Sequence, residues 1–339
     1  MNRSASLCLR AARAVAFSLG LATLPILTGC AAMQVKLGWK LALAKIPATS
    51  MEASLPNNPA IAPGEKSPLV VQIAASDGKT YLTEGKGKGK ILWKDLQITP
   101  SVVSADKKGN ISLARDPRLS EGKTGHLLIT APSHPGLQAE LDIPLRYDYP
   151  FQAGYSGASG TNGMDGTNGI DGMSGTSGSL DPNNPSAGGN GTDGTNGTDG
   201  SNGGDGSDGP AVQVQVTLHP GPKPLLEAGV TTRGHKEHFY LIDPQGGSLT
   251  ISSTGGSGGK GGSGGKGGRG GSGGIGQPSG MSGHDGTNGS DGRSGFDGHG
   301  GSITVLYDPQ VQPYLATIRT NNPGGSKPVF QQQAIPPLW

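Results

Sequence analysis

The stretch that decides the fold is GYSGASGTNGMDGTNGIDGMSGTSG, residues 154–178, in which glycine occupies every third position nine times in succession. Three later segments repeat this period. We call the four segments I (154–178), II (188–209), III (255–276) and IV (280–301), and we call the two positions after each glycine x and y. A strict three-residue glycine period indicates an extended helix with three residues per turn, one side of which another backbone must approach closely.

Segment III differs from the others because two of every three residues are glycine, in the sequence GGSGGKGGSGGKGGRGGSGGIG. A segment with two glycine faces can pack closely on two sides, whereas a Gly-x-y segment packs closely on only one. We therefore predict a bundle of four polyglycine-II-type helices lying side by side, with segment III more central. At about 3.1 Å per residue, each segment is roughly 70 Å long.

The same period has two other interpretations. A collagen triple helix has it, but such repeats usually contain about 15–20% proline or more, and none of the four segments contains proline. A flexible linker is the third alternative, because ordering the backbone costs about 1–2 kcal/mol per residue. The period resembles the polyglycine-II regions of phage tail-fibre tips and of a glycine-rich antifreeze protein. That resemblance covers residues 154–301 and implies an architecture rather than an activity.

Residues 68–150 read as β structure. Short apolar runs occur at 70–73, 91–98 and 126–130. Residues 137–149 alternate without a break as the clearest strand, and Pro144 within it indicates an edge strand or a bulge. Turn signals separate these runs. The pattern predicts a small antiparallel β-sandwich, with an immunoglobulin-like arrangement as its model.

Strand-like pieces also lie between the glycine segments. Residues 212–218 alternate, 239–242 are apolar, and GGSLTI at 246–251 closely matches GGSITV at 300–305. The fold class that we predict is mainly β: a sandwich at 68–150, then a module at 151–309 in which glycine helices and strands are interleaved. A tail at 310–339 follows, and its sequence pattern does not indicate where it packs.

The N-terminal region has the composition of an export signal. A basic leader is followed by an apolar run at 14–27, which is too short to span a bilayer as a resident helix. The sequence then reads Leu27, Thr28, Gly29, Cys30. This resembles the lipobox of bacterial lipoproteins. The alternative is an ordinary signal peptide with a chance cysteine near the cleavage site.

The resemblance implies that residues 1–29 are removed and that the Cys30 thiol carries a diacylglyceryl group. The protein would then be exported and anchored to a membrane through its acyl chains. Ala31 stands where the family uses aspartate for retention in the inner membrane, so the resemblance implies the outer membrane where the cell has one. Two or more acyl chains make such anchoring stable.

Residues 30–67 predict a tether. Trp39 and the lysines around it suit a segment that lies at the lipid headgroups, although 33–46 suits the first element of the next domain equally well. Prolines then recur, which predicts an extended linker. They are Pro47, Pro56, Pro59 and Pro63.

Composition excludes several classes of function. A net charge of +2 with 15% charged residues argues against nucleic-acid binding. Cys8 leaves with the signal and Cys30 is acylated, so no disulfide is expected. The close pair His235 and His238 lacks a third metal ligand and predicts a surface turn. We find no nucleophile–base arrangement, and we predict a protein that is not an enzyme and has no cofactor or metal.

Acidic and amide side chains form straight ridges at the y positions, because a helix with three residues per turn aligns every third residue. These ridges could hold Ca²⁺, which prefers six to eight oxygen ligands, or they could form a solvated surface. They comprise Asn162, Asp165, Asn168 and Asp171 in segment I; Asp193, Asn196, Asp199, Asn202, Asp205 and Asp208 in segment II; and Asp285, Asn288, Asp291 and Asp297 in segment IV.

The sequence thus predicts a structural, display or adhesive protein of the cell envelope. Loops 179–187 and 277–279 are the candidate contacts for an extracellular protein or glycan. The alternatives are a Ca²⁺- or glycan-binding module that uses the Asp/Asn ridges and a collagen-like homotrimeric stalk. A bundle would be a monomer, and only the stalk requires three chains.

Overall fold

The computed structural model describes residue 35 and residues 37–339. The predicted signal peptide, the lipobox and Cys30 lie outside the described residues. Within them, no helix is long and apolar enough to cross a membrane. The fold is mainly β, which confirms the fold class at this level.

Short strands and short 3-10 helices make up the regular structure. The strands are β1 (Ala48–Ser54), β2 (Lys66–Pro68), β3 (Val70–Ala75), β4 (Thr80–Leu82), β5 (Gln97–Ser101), β6 (Val103–Ala105), β7 (Asn110–Leu113), β8 (Gly125–Thr130), β9 (Gln138–Ile143), β10 (Pro150–Ser156), β11 (Val212–Leu218), β12 (Leu226–Thr232), β13 (His238–Ile242), β14 (Ser248–Thr254), β15 (Ile303–Tyr307), β16 (Ile318–Asn321) and β17 (Val329–Gln332). The 3-10 helices span Leu43–Lys45, Gly85–Gly87, Trp93–Asp95, Pro117–Leu119 and Pro309–Thr317.

Three small antiparallel sheets share the first hydrophobic core. Their strand orders are β1-β3-β4, β2-β7-β6 and β5-β8-β9. Strand β8 shows how the sequence produces them, because its side chains alternate between the core and the surface, and Leu127 and Ile129 are fully buried. Gly109 lies in the turn before β7 and has a φ of 75°, which a side chain would disfavour.

The segment predicted as a tether and linker contributes to this core from residue 43 onward. Leu43 and Ile61 are fully buried, and β1 pairs with β3. Pro56 and Pro59 lie in the connection between β1 and β2, where a missing N–H breaks no ladder. The apolar residues on both sides of the prolines pack in this core, so residues 41–67 do not form a separate tether and linker. Leu41, Leu43 and Ile46 favour the alternative in which 33–46 is the first element of the next domain.

Two predicted strands are also shorter than their patterns suggest. The alternation at 137–149 breaks after Ile143, because Pro144 cannot donate to a ladder. Leu145 forms only an isolated bridge with Ile61, and β10 begins at Pro150 in a different sheet. In the run 91–98, the 3-10 helix Trp93–Asp95 occupies the middle, so only its end enters β5.

Two further sheets pack on a second hydrophobic core. The three strands β10-β14-β16 are all parallel. The five-stranded sheet has the order β13-β12-β11-β15-β17, in which β11 pairs antiparallel with β12 and parallel with β15. Val214, Val305 and Ile251 are fully buried between these sheets. Segments I and III leave from β10 and β14, while segments II and IV lead into β11 and β15.

The tail crosses the outer face of the five-stranded sheet after β17. The hydroxyl of Thr217 donates to the carbonyl of Ile335 over 3.1 Å, and the amide of Leu338 donates to Glu227 Oε2 over 2.6 Å. Trp339 then reaches the part of the protein that surrounds the first core, which we call the first unit. There its indole N–H donates to Glu121 Oε2 over 2.7 Å. The tail therefore joins the two halves of the protein.

Candidate functional site

The glycine segments form two parallel pairs that continue the register of the strands from which they start. Strands β10 and β14 pair residues 98 positions apart, as in Pro150 with Ser248. The amide of Ser263 donates to Asp165 Oδ1 at the same separation, and Gly166 N donates to the Ser263 carbonyl over 2.7 Å. The β ladder thus passes without a shift into the pair of segments I and III.

Segments II and IV repeat this arrangement with a separation of 91 residues. The amide of Thr287 donates to Asn196 Oδ1, and Gly197 N donates to the Thr287 carbonyl over 2.9 Å. Strands β11 and β15 have the same separation, as in Val212 with Ile303. The strands therefore fix the registers of both pairs.

Antiparallel ladders join the two pairs. Thr195 N donates to the Ile170 carbonyl, Gly265 N to the Thr198 carbonyl, and Gly286 N to the Gly268 carbonyl, all over 2.8–2.9 Å. Segments II and III each bond to three neighbours, whereas I and IV each bond to two, and no backbone bond joins I to IV among the described residues. Segments II and III therefore share the central position among the four.

In segment III the two glycines of each triplet face the backbones of two different neighbouring segments. In one triplet, Lys266 N donates to Asn168 Oδ1 of segment I, Gly267 N to Asn288 Oδ1 of segment IV, and Gly268 N to the carbonyl of Thr195 of segment II. Each N–H therefore has its own partner segment. A Cβ on Gly268 would overlap the backbone of Ile170, and one on Gly267 would overlap the backbone of Gly286. Both positions therefore require glycine.

The Asp/Asn ridges act as backbone hydrogen-bond acceptors. Asp165 Oδ1 accepts from Ser263 N over 2.8 Å, and Asp199 Oδ1 accepts from Ser290 N over 2.6 Å. A short side chain one residue from glycine can reach the adjacent backbone, and its oxygen replaces a missing carbonyl. Neither the Ca²⁺ interpretation nor the solvated-surface interpretation predicted that these side chains accept hydrogen bonds from the backbone of a neighbouring segment. The signal in the sequence that could have indicated this role is the recurrence of the short residues Asp and Asn at y, where the longer Glu and Gln do not occur.

Hydroxyl groups at the x positions of segment II play a matching part. Ile170 N donates to Thr195 Oγ1 over 2.7 Å, while Thr195 N donates to the Ile170 carbonyl, so the two residues exchange bonds. The same exchange recurs between Met173 and Thr192. The Thr side chains therefore complete the ladder between segments I and II.

These hydrogen bonds orient two different long faces. The charged face carries Lys260, Lys266 and Arg269, which are non-glycine residues of the Gly-Gly-x triplets of segment III. They lie between the acidic y ridges of segments I and IV. The Thr/Met face carries the x residues of segments I and II, and on it Met164 and Met173 are 79% and 76% exposed. One ionisable group on the segment II ridge is perturbed, because bonds from the backbone and side chain of His284 lower the pKa of Asp193.

The two distal loops lie together at the end remote from the strands. Gln277 N of the second loop donates to the carbonyl of Ser186 in the first over 2.9 Å, and Ser186 N donates to the Ser179 carbonyl over 3.1 Å. Leu180 at this end is 58% exposed. The loops that the sequence predicts as contacts are therefore adjacent and form one surface.

A polar cluster that the sequence did not predict lies under the tail. His219 Nδ1 is 2.7 Å from Oε1 of the fully buried Glu227, and His219 Nε2 is 2.8 Å from Glu121 Oε1. The remaining oxygens of the two carboxylates accept from Leu338 and Trp339. The cluster contains no nucleophile, and its partners hold the tail in place. Its members are far apart in sequence, so no local spacing reveals it.

The histidine pair His235 and His238 lies at the start of β13 and in the turn before it. His235 is exposed on the turn between β12 and β13, and His238 begins β13. No group of three or more His, Cys, Asp or Glu residues that could hold a metal occurs in the described part of the chain. Comparison with models of known protein families and with curated proteins yields no match.

Proposed function

We propose that this chain is a non-enzymatic, lipid-anchored protein of the bacterial cell envelope whose role is display or adhesion. The observation that carries the proposal is the set of regular ladders along segments I–IV, which connect strands at one end to paired loops at the other. At about 3.1 Å per residue, these ladders hold the loops roughly 70 Å from the strands. The loops are the part of the protein that can meet an extracellular protein or glycan.

We infer that segments I–IV are polyglycine-II-type helices and that they form an intrachain bundle. Three observations support this: the hydrogen bonds repeat every three residues, they join segments of one chain, and an added Cβ at most repeat glycines overlaps a neighbouring backbone. A disordered linker needs none of these features. Far-UV circular dichroism together with sedimentation of the full chain tests the inference, which requires an extended-helix spectrum from a monomer.

We infer in addition that the three antiparallel sheets around the first core form a sandwich-like unit. A single shared core supports this inference, because sheets that pack face to face bury one side each. The immunoglobulin-like topology stays a prediction. This unit and the second core hold the starts of segments I and III, which would not become ordered alone.

The anchor rests on the sequence. If Cys30 carries the lipid, Cys30→Ala releases the protein from the membrane fraction without unfolding it, because the change lies outside the described fold. Retention of the full-length variant in the membrane fraction would refute the anchor. Cells with an outer membrane are the appropriate host, since Ala31 implies that destination.

Display is tested with an epitope placed in the first distal loop, after Asn183, where an exposed turn tolerates insertion. We expect antibody to label intact cells. A second epitope at the exposed turn of Gly122, in the first unit, is the control for overall access. Labelling of either site only after the cells are made permeable would contradict surface display.

Neither rival function has a supporting observation of its own. The ridge oxygens described above already accept backbone hydrogen bonds, which leaves each carboxylate one oxygen for a cation. Calorimetry with Ca²⁺ decides this alternative, and heat together with a raised melting temperature would favour it. A trimer in sedimentation would favour the collagen-like stalk.

A further inference from the structure

The outer face of the five-stranded sheet has a covered half and an open half. The tail covers the half that contains Thr217 and Glu227. The other half, next to the ends of segments II and IV, is a trough of about 760 Å³. That volume falls within the range of about 300–1,000 Å³ that is usual for ligand sites.

Register places the side chains on the floor of the trough, which are polar except for Leu306, in rows across the strands. Thr231, Gln213 and Thr304 pair directly across β12, β11 and β15. Leu306 and Gln331 pair in the next row, across β15 and β17. Neighbouring strands lie about 4.8 Å apart, so these side chains form a regular array on a rigid floor.

The walls of the trough are also polar. Arg233 rises from the turn that follows β12, and Gln333 follows β17 at the opposite side. No aromatic ring and no carboxylate contributes to the lining. Arg233 has no carboxylate within salt-bridge distance among the residues that the structure describes. The trough therefore has one free positive charge.

This set of groups specifies a ligand class. Amide side chains both donate and accept, and the Thr231 hydroxyl, which donates to the Gln213 carbonyl over 3.3 Å, can still accept. This set of groups matches a ligand that carries many hydroxyl groups. A guanidinium binds planar anions through paired hydrogen bonds. We propose that the trough binds an acidic oligosaccharide, with its hydroxyls on the Gln/Thr floor and its carboxylate or sulfate on Arg233.

The trough is separate from the distal loops, so the proposed binding of an oligosaccharide can be tested independently of the display role. We would titrate the full chain by calorimetry with tetragalacturonate, with a sulfated heparin-derived tetrasaccharide and with neutral maltotetraose. We expect either acidic probe to bind at least about tenfold more tightly than the neutral one, because a charge-assisted bond is stronger. The two acidic probes distinguish a carboxylate from a sulfate.

Three variants locate the binding. Arg233→Gln should remove the preference for acidic probes, and Gln331→Ala should weaken all binding. Gln332→Ala is the matched control, because Gln332 lies on the same strand, is also exposed and faces the other side of the sheet. The proposal is overturned if no acidic probe binds at millimolar concentration, or if Gln332→Ala weakens binding as much as Gln331→Ala.

Discussion

The first unit and the glycine segments are stabilised by opposite kinds of contact. In the first unit, side chains such as Leu127 and Ile129 are buried in an apolar core. In the segments, the groups brought together are backbone N–H and carbonyl groups, while large apolar side chains such as Ile170 remain exposed. Burial of apolar area stabilises the first unit, and hydrogen bonds between closely spaced backbones stabilise the glycine segments.

The difference teaches where each region tolerates change. An apolar core accepts side chains of similar volume, because its contacts are not directional. A backbone ladder accepts any exposed residue at x or y that keeps the hydrogen bonds, but it accepts nothing larger than hydrogen at the repeat glycine. The segments thus combine variable outer faces with a fixed interior.

The largest effect is expected in the apolar core. Ile129→Ala leaves a cavity and should lower the free energy of unfolding by about 2–5 kcal/mol. Chemical denaturation measures this loss. Thr130→Ala, one residue away and facing outward, is the control and should change stability by less than about 0.5 kcal/mol. Hydrogen exchange then tests the comparison, because segment III should keep its protection. Equal loss of protection in both regions would mean that they unfold as one.

The next effect concerns a repeat glycine. A Cβ on Gly265 would overlap the Thr167 carbonyl, so Gly265→Ala should cost about 1–3 kcal/mol through displacement of a backbone. Gly204→Ser is the control, since Gly204 occupies an x position where Ser201 and Ser207 are tolerated, and its nearest contact is a side-chain hydroxyl at 3.1 Å. Thermal unfolding compares the two. Similar melting temperatures for both variants would show that the repeat glycines are not needed for close packing.

The sequence predicted the periodic features of the fold well. The glycine period identified all four segments, and the alternation at 212–218 matches β11. The composition of segment III indicated close packing on more than one side, whereas nothing in the Gly-x-y composition of segment II indicated its three neighbours. These features are local, so a short window of sequence contains them.

The sequence could not predict the features that depend on distant partners. The register between segments I and III is set by strands 98 residues apart, and no short window contains both. The prediction of an extended linker from Pro47 onward was wrong because the prolines were weighed more heavily than apolar residues such as Ile61, which is buried in the first core. The trough depends on β17, whose four residues are all exposed and carry no clear strand pattern.

A smaller effect is expected for the ridge side chains. Asn168→Ala removes the acceptor for Lys266 N and should cost about 0.5–1.5 kcal/mol, since water can partly replace the bond. Asn168→Asp keeps the acceptor, as the neighbouring Asp165 shows, and should be close to neutral. Denaturant unfolding distinguishes them. If Asn168→Ala is neutral as well, the ridge oxygens do not support the ladder.

The smallest effect is a dependence on pH. Bonds from His284 lower the pKa of Asp193 below its ordinary value of 3.8, so the folded state favours the ionised carboxylate. The stabilisation is therefore present above pH 3.8 and is lost as the pH falls through the lowered pKa. Asp193→Asn retains an acceptor oxygen without the charge and should remove this part of the acid sensitivity. Melting temperatures of both proteins, measured from neutral pH to below 3.8, provide the test. Parallel curves would mean that the charge adds nothing to the bond, and the ladder would then depend on the geometry of its acceptors alone.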